Sequence, residues 1–322
     1  MKKIIEAVIM IGVIFGGIIV HIEPSKAVET DFSVSALIPD NQIDKSKKYF
    51  ELRMKPSQVQ ELEVLLTNNL ARPMTIEMHA NTAVTNDYGT VDYSNKAPQF
   101  DNTLQFPFSE IAEMPDEIML HANGSRKMKV KLRMPSVPFD GLILGGLHFS
   151  EKGGLGDYVI GVILSEKDTV VEPDMKLNGV KPSQISKRNV LKVNLQNIKP
   201  VILQNLVVEA RIYKENSDEV LYRTKRDMLR MAPNSNFDLG ISWKNQAFEA
   251  GKYRLKIVAT SEHNIWKWNE EFEIEKDLAT KLNRRAVGIE KSFALWYIGC
   301  GVVLLMLGWA FLMNRQKTRK SK

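Results

Sequence analysis

Few residues of this chain are of a type and spacing that would do chemistry. Its five histidines are His21, His79, His121, His148 and His263. None stands in HExxH or another metal-ligand spacing, so no zinc site is indicated. Neither a GxSxG elbow, a P-loop nor a GxGxxG opening a helix is present. Gly153-Gly154-Leu155-Gly156 would suit an anion but joins two apolar stretches and reads as a flexible turn. Asp116-Glu117 and Glu270-Glu271 are paired carboxylates without the separation that glycoside hydrolysis requires being readable from sequence. The lone Cys300 lies within an apolar run and cannot pair within the chain. No catalytic residue, cofactor site or metal site is therefore expected, and the chain reads as a binding protein rather than an enzyme.

Binding chemistry is better represented. Residues 81–93 are rich in hydroxyls, amides and carboxylates and hold two tyrosines. Thr85, Asn86, Asp87, Tyr88, Asp92 and Tyr93 are the candidate ligand contacts, because such side chains join hydrogen bonds to flat apolar faces. Asn86-Asp87-Tyr88-Gly89 is equally a good turn sequence. A second polar segment is Met231-Ala232-Pro233-Asn234-Ser235-Asn236-Phe237, which also reads as a turn into a strand. The basic stretch 223–230 suits either an anionic wall polymer or a solvated strand face.

The elements that must hold these residues are strands. Arg126-Lys127-Met128-Lys129-Val130-Lys131-Leu132-Arg133 alternates charge with apolar residues, giving one wet and one buried face. Similar runs occupy 60–66, 74–78, 142–149 and 158–164, the last two forming a hairpin. A second series covers 190–195, 206–213, 237–241, 253–258 and 266–274. Gly251-Lys252-Tyr253 resembles the tyrosine corner of immunoglobulin-like folds. The expected fold is all-β: two tandem immunoglobulin-like β-sandwich domains, 28–168 and 169–286, followed by a stalk at 287–292.

Both ends point to a membrane surface. Lys2 and Lys3 precede an apolar run over 7–20, and Ser25 and Ala27 supply the small residues of a cleavage site, so 1–27 reads as a signal peptide. Residues 293–313 carry no charge, and at ~1.5 Å per residue they reach about 31 Å, enough to span a bilayer as a transmembrane helix. The basic tail 314–322 then stays in the cytoplasm, leaving 28–292 extracellular. The chain's net charge of +6 resides at these ends, since 28–292 is neutral. That argues against a nucleic-acid partner. The neutral region is itself divided, with a net −6 over 28–168 and +6 over 169–292. An outer region without cysteine fits a bacterial surface better than a disulfide-bonded animal ectodomain.

Leu37-Ile38-Pro39-Asp40-Asn41-Gln42, Tyr49-Phe50-Glu51-Leu52, Leu66-Thr67-Asn68-Asn69, the 83–93 loop and Asp140-Gly141-Leu142-Ile143-Leu144-Gly145-Gly146 resemble the first domain of the WxL-interacting proteins of Gram-positive bacteria. Leu195-Gln196-Asn197, the 231–237 segment and Gly251-Lys252-Tyr253 resemble the second. The resemblance implies that the first domain binds peptidoglycan. It implies that the second binds WxL-domain surface proteins or host extracellular proteins. A scaffold that binds proteins alone is the alternative reading, and a cell-wall hydrolase the third. Where the family has a Pro-Gly turn, this chain has Lys55-Pro56-Ser57-Gln58.

Overall fold

A computed structural model describes residues 31–289 and Met306. The expected signal peptide, and the expected transmembrane segment apart from Met306, lie outside the described residues. Among the described residues, no helix is long and apolar enough to cross a membrane.

The chain forms two β-sandwiches. The first is built from β1 (Phe32–Leu37), β2 (Phe50–Arg53), β3 (Val59–Asn68), β4 (Met74–Thr82), β5 (Val84–Thr85), β6 (Val91–Asp92), α1 (Phe108–Ile111), β7 (Ala112–Glu113), β8 (Glu117–Leu120), β9 (Ser125–Arg133), β10 (Ile143–Glu151) and β11 (Asp157–Ser165). The second follows with β12 (Met175–Ile185), β13 (Arg188–Asn197), β14 (Leu203–Lys214), β15 (Val220–Met231), β16 (Ser235–Ser242), β17 (Gly251–Ser261), β18 (Asn264–Ile274) and α2 (Lys276–Arg285).

In the first sandwich a sheet ordered β1-β3-β9-β7 faces one ordered β2-β11-β10-β4-β8. The period-two pattern sets which side chains meet: Met128, Val130 and Leu132 of β9 are buried, and the lysines between them are not. Two of those lysines meet carboxylates on the neighbouring strand, Lys129 to Glu61 at 2.6 Å and Lys127 to Glu63 at 3.5 Å. The hairpin expected from the glycine-rich turn is present, with β10 antiparallel to β11. β11 also runs parallel to β2, which forms one edge of the sheet.

The second sandwich pairs a sheet ordered β12-β13-β16 with one ordered β15-β14-β17-β18. Its core gathers Leu191, Val193, Leu195, Ile212, Leu255, Ile257 and Trp243, all 2% exposed or less. The tyrosine-corner geometry is realised: the Tyr253 hydroxyl donates to the Glu249 carbonyl, four residues upstream, at 2.9 Å. The helix α2, inside the 169–286 expected for the second domain, packs as part of this body. Ala279 is buried, and Asn283 accepts from the Phe248 N–H at 2.8 Å while donating to the Phe248 carbonyl at 2.9 Å.

Candidate functional site

The two polar loops of the sequence meet each other. β5 and β6 form a short hairpin whose turn is shaped by Asn86, whose Oδ1 accepts from the N–H groups of Tyr88 and Thr90. This hairpin lies on the second sandwich. The Gly89 carbonyl accepts from the Arg230 N–H at 2.8 Å, and the Thr85 hydroxyl accepts from the Ala232 N–H at 3.0 Å. Thr85 and Ser235 hydroxyls are 2.6 Å apart. Gly89 has φ +74°, and a Cβ there would sit 2.7 Å from Leu229 Cδ2, so only glycine fits this seam. Ala83, Leu144 and Ala232 add a small apolar core between the sandwiches.

Charge reinforces the seam. Asp87 accepts from the Asp238 N–H and from Lys192 Nζ, both at 3.2 Å, and Lys192 also reaches Asp238. Burial alone would lower the Lys192 pKa, but its bonds to Asp238 and Asp87 outweigh that and hold it raised. A third contact is the Leu142 N–H donating to the Pro200 carbonyl at 2.7 Å.

Asp101 is the best-held carboxylate of the junction, 8% exposed. Its oxygens accept from Gln196 Nε2 at 2.8 Å, Asn236 Nδ2 at 2.5 Å and the Thr103 hydroxyl at 2.7 Å. Desolvation pushes its pKa up, but the bonds from Thr103, Asn236 and Gln196 overcome it and the pKa is lowered. From there a line of amides crosses the outer face of β13 and β16: Asn194 Nδ2 donates to Asn236 Oδ1 at 3.1 Å, and Asn178 Nδ2 to Asn194 Oδ1 at 3.0 Å. Asn178 is the extra residue of a bulge in β12, which aims its side chain at this line.

The line floors a groove of about 490 Å³, bordered by Gln99, Phe100 and Asn102. An adjoining cleft of about 570 Å³ has a mixed lining, Leu104, Phe106, Phe139 and Leu142 beside Asp140 and Lys199, with the Phe106 and Phe139 rings 5.7 Å apart. Amides and one half-exposed ring suit a neutral polyol; the cleft suits a mixture of apolar and charged side chains.

The six candidate contacts therefore divide. Thr85 and Asp87 are consumed in the seam, and Asn86 in the turn of its own hairpin. Asp92 caps its own turn, accepting from the Ser94 N–H and hydroxyl. Burial raises the Tyr93 pKa, and its ring packs against Gly146. Tyr88 alone stands free, 81% exposed. Tyr88→Ala should leave stability within ~0.5 kcal/mol, whereas Tyr93→Ala should cost about 1–3 kcal/mol. Urea unfolding of the two variants checks this, and equal losses would refute it. Sequence reading missed Asp101, Asn178 and Gln196 as site residues, and held Asn236 only as part of the polar segment 231–237. The available signal was amides recurring within β-patterned stretches, where they are disfavoured.

The β10–β4 register sets His148 opposite His79. Among the described residues, no group of three His, Cys, Asp or Glu could hold a metal ion.

No curated protein matches the chain. Solved structures with some likeness include the E. coli chaperone DraB, at 9% identity over 76% of this chain and 97% of that one, TM-score 0.29. The class 5 fimbriae chaperone CfaA aligns at 13% over 75% and 98%, TM-score 0.28. A PapD-like domain of human CEP192 aligns at 11% over 47% and 97%, TM-score 0.28. Likeness at this level carries no functional argument. Two family models match directly. That of the WxL Interacting Protein peptidoglycan binding domain covers 32–151, and that of the WxL Interacting Protein host binding domain covers 157–284. The second begins at β11, a strand that hydrogen-bonds within the first sandwich. Both describe binding domains, and with the two in tandem over most of its length the chain belongs to the WxL-interacting protein family.

Proposed function

We propose that this is a single-pass cell-membrane protein, residues 28–292 extracellular and the 314–322 tail cytoplasmic. Its first domain holds peptidoglycan and its second recruits a WxL-domain protein or a host extracellular protein. The observation that carries the reading is the tandem order of the two matched domains on one chain. The amide-lined groove supports a glycan contact, since side-chain amides offer donors and acceptors to hydroxyls on one surface. The test is retention of the full-length chain on purified cell-wall sacculi. Retention well above an unrelated sandwich protein is expected; none would end the reading. Asn102→Ala and Asn178→Ala, both outside the β5–β6 seam, should each weaken retention several-fold, about 1 kcal/mol per hydrogen bond.

A second reading is favoured by the adjoining cleft, where the Phe106 and Phe139 rings stand beside Asp140 and Lys199, a mixture that suits the apolar and charged side chains of a protein segment. In that case the chain is an assembly scaffold. Capture of secreted WxL proteins without wall retention would select it.

A further inference from the structure

The outer face of the sheet β15-β14-β17-β18 carries like charges in direct register. Arg223 of β15 lies opposite Arg211 of β14, and Arg211 lies opposite Lys256 of β17. Neighbouring strands are ~4.8 Å apart, so three cations fall within about 10 Å. The next row holds Lys225, Glu209, Val258 and Lys267. Like charges directly opposite one another destabilise a sheet. The acidic relief of these two rows is Glu209, which bridges Arg211 and Arg223 at 2.5 and 3.2 Å; Glu271 and Glu273 of β18 lie further along the face, opposite Arg254 and Lys252. Among the described residues, Lys225, Lys256 and Lys267 have no carboxylate within the 4.0 Å of an ion pair. Lys256 instead lies over the Tyr213 ring, 5.3 Å from its centroid.

Protection of a free sheet edge accounts for basic residues on β15, since charge there deters edge-to-edge pairing. It does not account for Arg211 and Lys256, which stand on the two central strands. Glu209 answers Arg211, but Lys256 stays in the middle of the sheet opposite Arg211 with no carboxylate partner among the described residues, a placement that gives up stability for a charged surface.

We propose that this face binds a linear polyanion of the phosphodiester or polyphosphate class, lying across the strands along the row Arg223, Arg211 and Lys256. A row of point charges on a flat sheet fits a flexible chain with repeated phosphates, and guanidinium groups pair well with phosphate oxygens. The site is separate from the junction groove, so it stands whether or not the groove binds wall glycan.

The test uses inorganic polyphosphate as probe and the full-length chain in detergent. Binding is expected at low salt, with log K falling linearly against log salt. The double variant Arg211→Gln/Lys256→Gln should weaken it about tenfold or more and reduce the salt slope by roughly 1–2. Arg211→Lys/Lys256→Arg should restore it, which separates charge from folding. Lys276→Gln/Lys281→Gln, on α2, should behave as the wild type. No binding by the wild type, or unchanged binding and slope in the Arg211/Lys256 double variant, overturns the proposal. Binding to phosphatidylglycerol vesicles but not to polyphosphate also overturns it, since that would mark a membrane surface.

Discussion

Asp101→Ala should loosen the joint between the sandwiches by about 3 kcal/mol, because it strips a buried acceptor from Gln196, Asn236 and Thr103. Leaving a buried donor unpaired costs about 1–3 kcal/mol, and here more than one donor is orphaned. Calorimetry should show one unfolding transition in the wild type resolve into two in the variant. Unchanged, coincident melting would refute the role. The same carboxylate gives the joint a pH dependence with a definite sign. Its folded-state pKa is lowered, so its contribution is present at neutral pH and above the ordinary ~3.9 of an unfolded aspartate. It is lost as the pH falls through the lower folded value. Asp101→Asn removes that acid-dependent step, and melting curves taken between neutral pH and about pH 3 distinguish the two chains.

Trp243→Ala should cost the second sandwich about 3–5 kcal/mol, the range for truncating a fully buried large aromatic. The indole is 2% exposed and packs against Tyr222, Phe248 and Tyr253, with ring centroids 4.3, 5.0 and 5.7 Å away. The loss should appear in urea unfolding of the full chain as an early transition confined to the second sandwich. A midpoint within error of the wild type would show that the site collapses around the deletion.

Much of this architecture was legible in the sequence, because strand burial is written locally. The alternation at 126–133 named Met128, Val130 and Leu132 as inward before any partner strand was known. Tyr253 was legible for the same reason, its acceptor being four residues away. The junction was not. Thr85 finds Ser235 across 150 positions, and Asp101 finds Gln196 across 95. No local pattern distinguishes a threonine awaiting a ligand from one awaiting a distant hydroxyl of the same chain. The loop at 81–93 was singled out for ligand contact, yet Thr85 and Asp87 bond the second sandwich and Asn86 holds the loop's own turn. The 223–230 stretch shows the converse. Its meaning depends on Arg211 and Lys256, which only the register places beside it.

The β5–β6 hairpin on the second sandwich also imposes an order of assembly. Its partners, Lys192, Ala232, Ser235 and Asp238, emerge more than a hundred residues after it. The first sandwich closes only when β11 has paired with β2, itself a contact across more than a hundred residues. Contacts of such long sequence separation form late, because loop-closure entropy must be overcome first. A chain delivered from its N-terminus would thus carry this polar hairpin exposed until the second sandwich had folded. The joint is a checkpoint on completion: only a chain made through β16 can bury it.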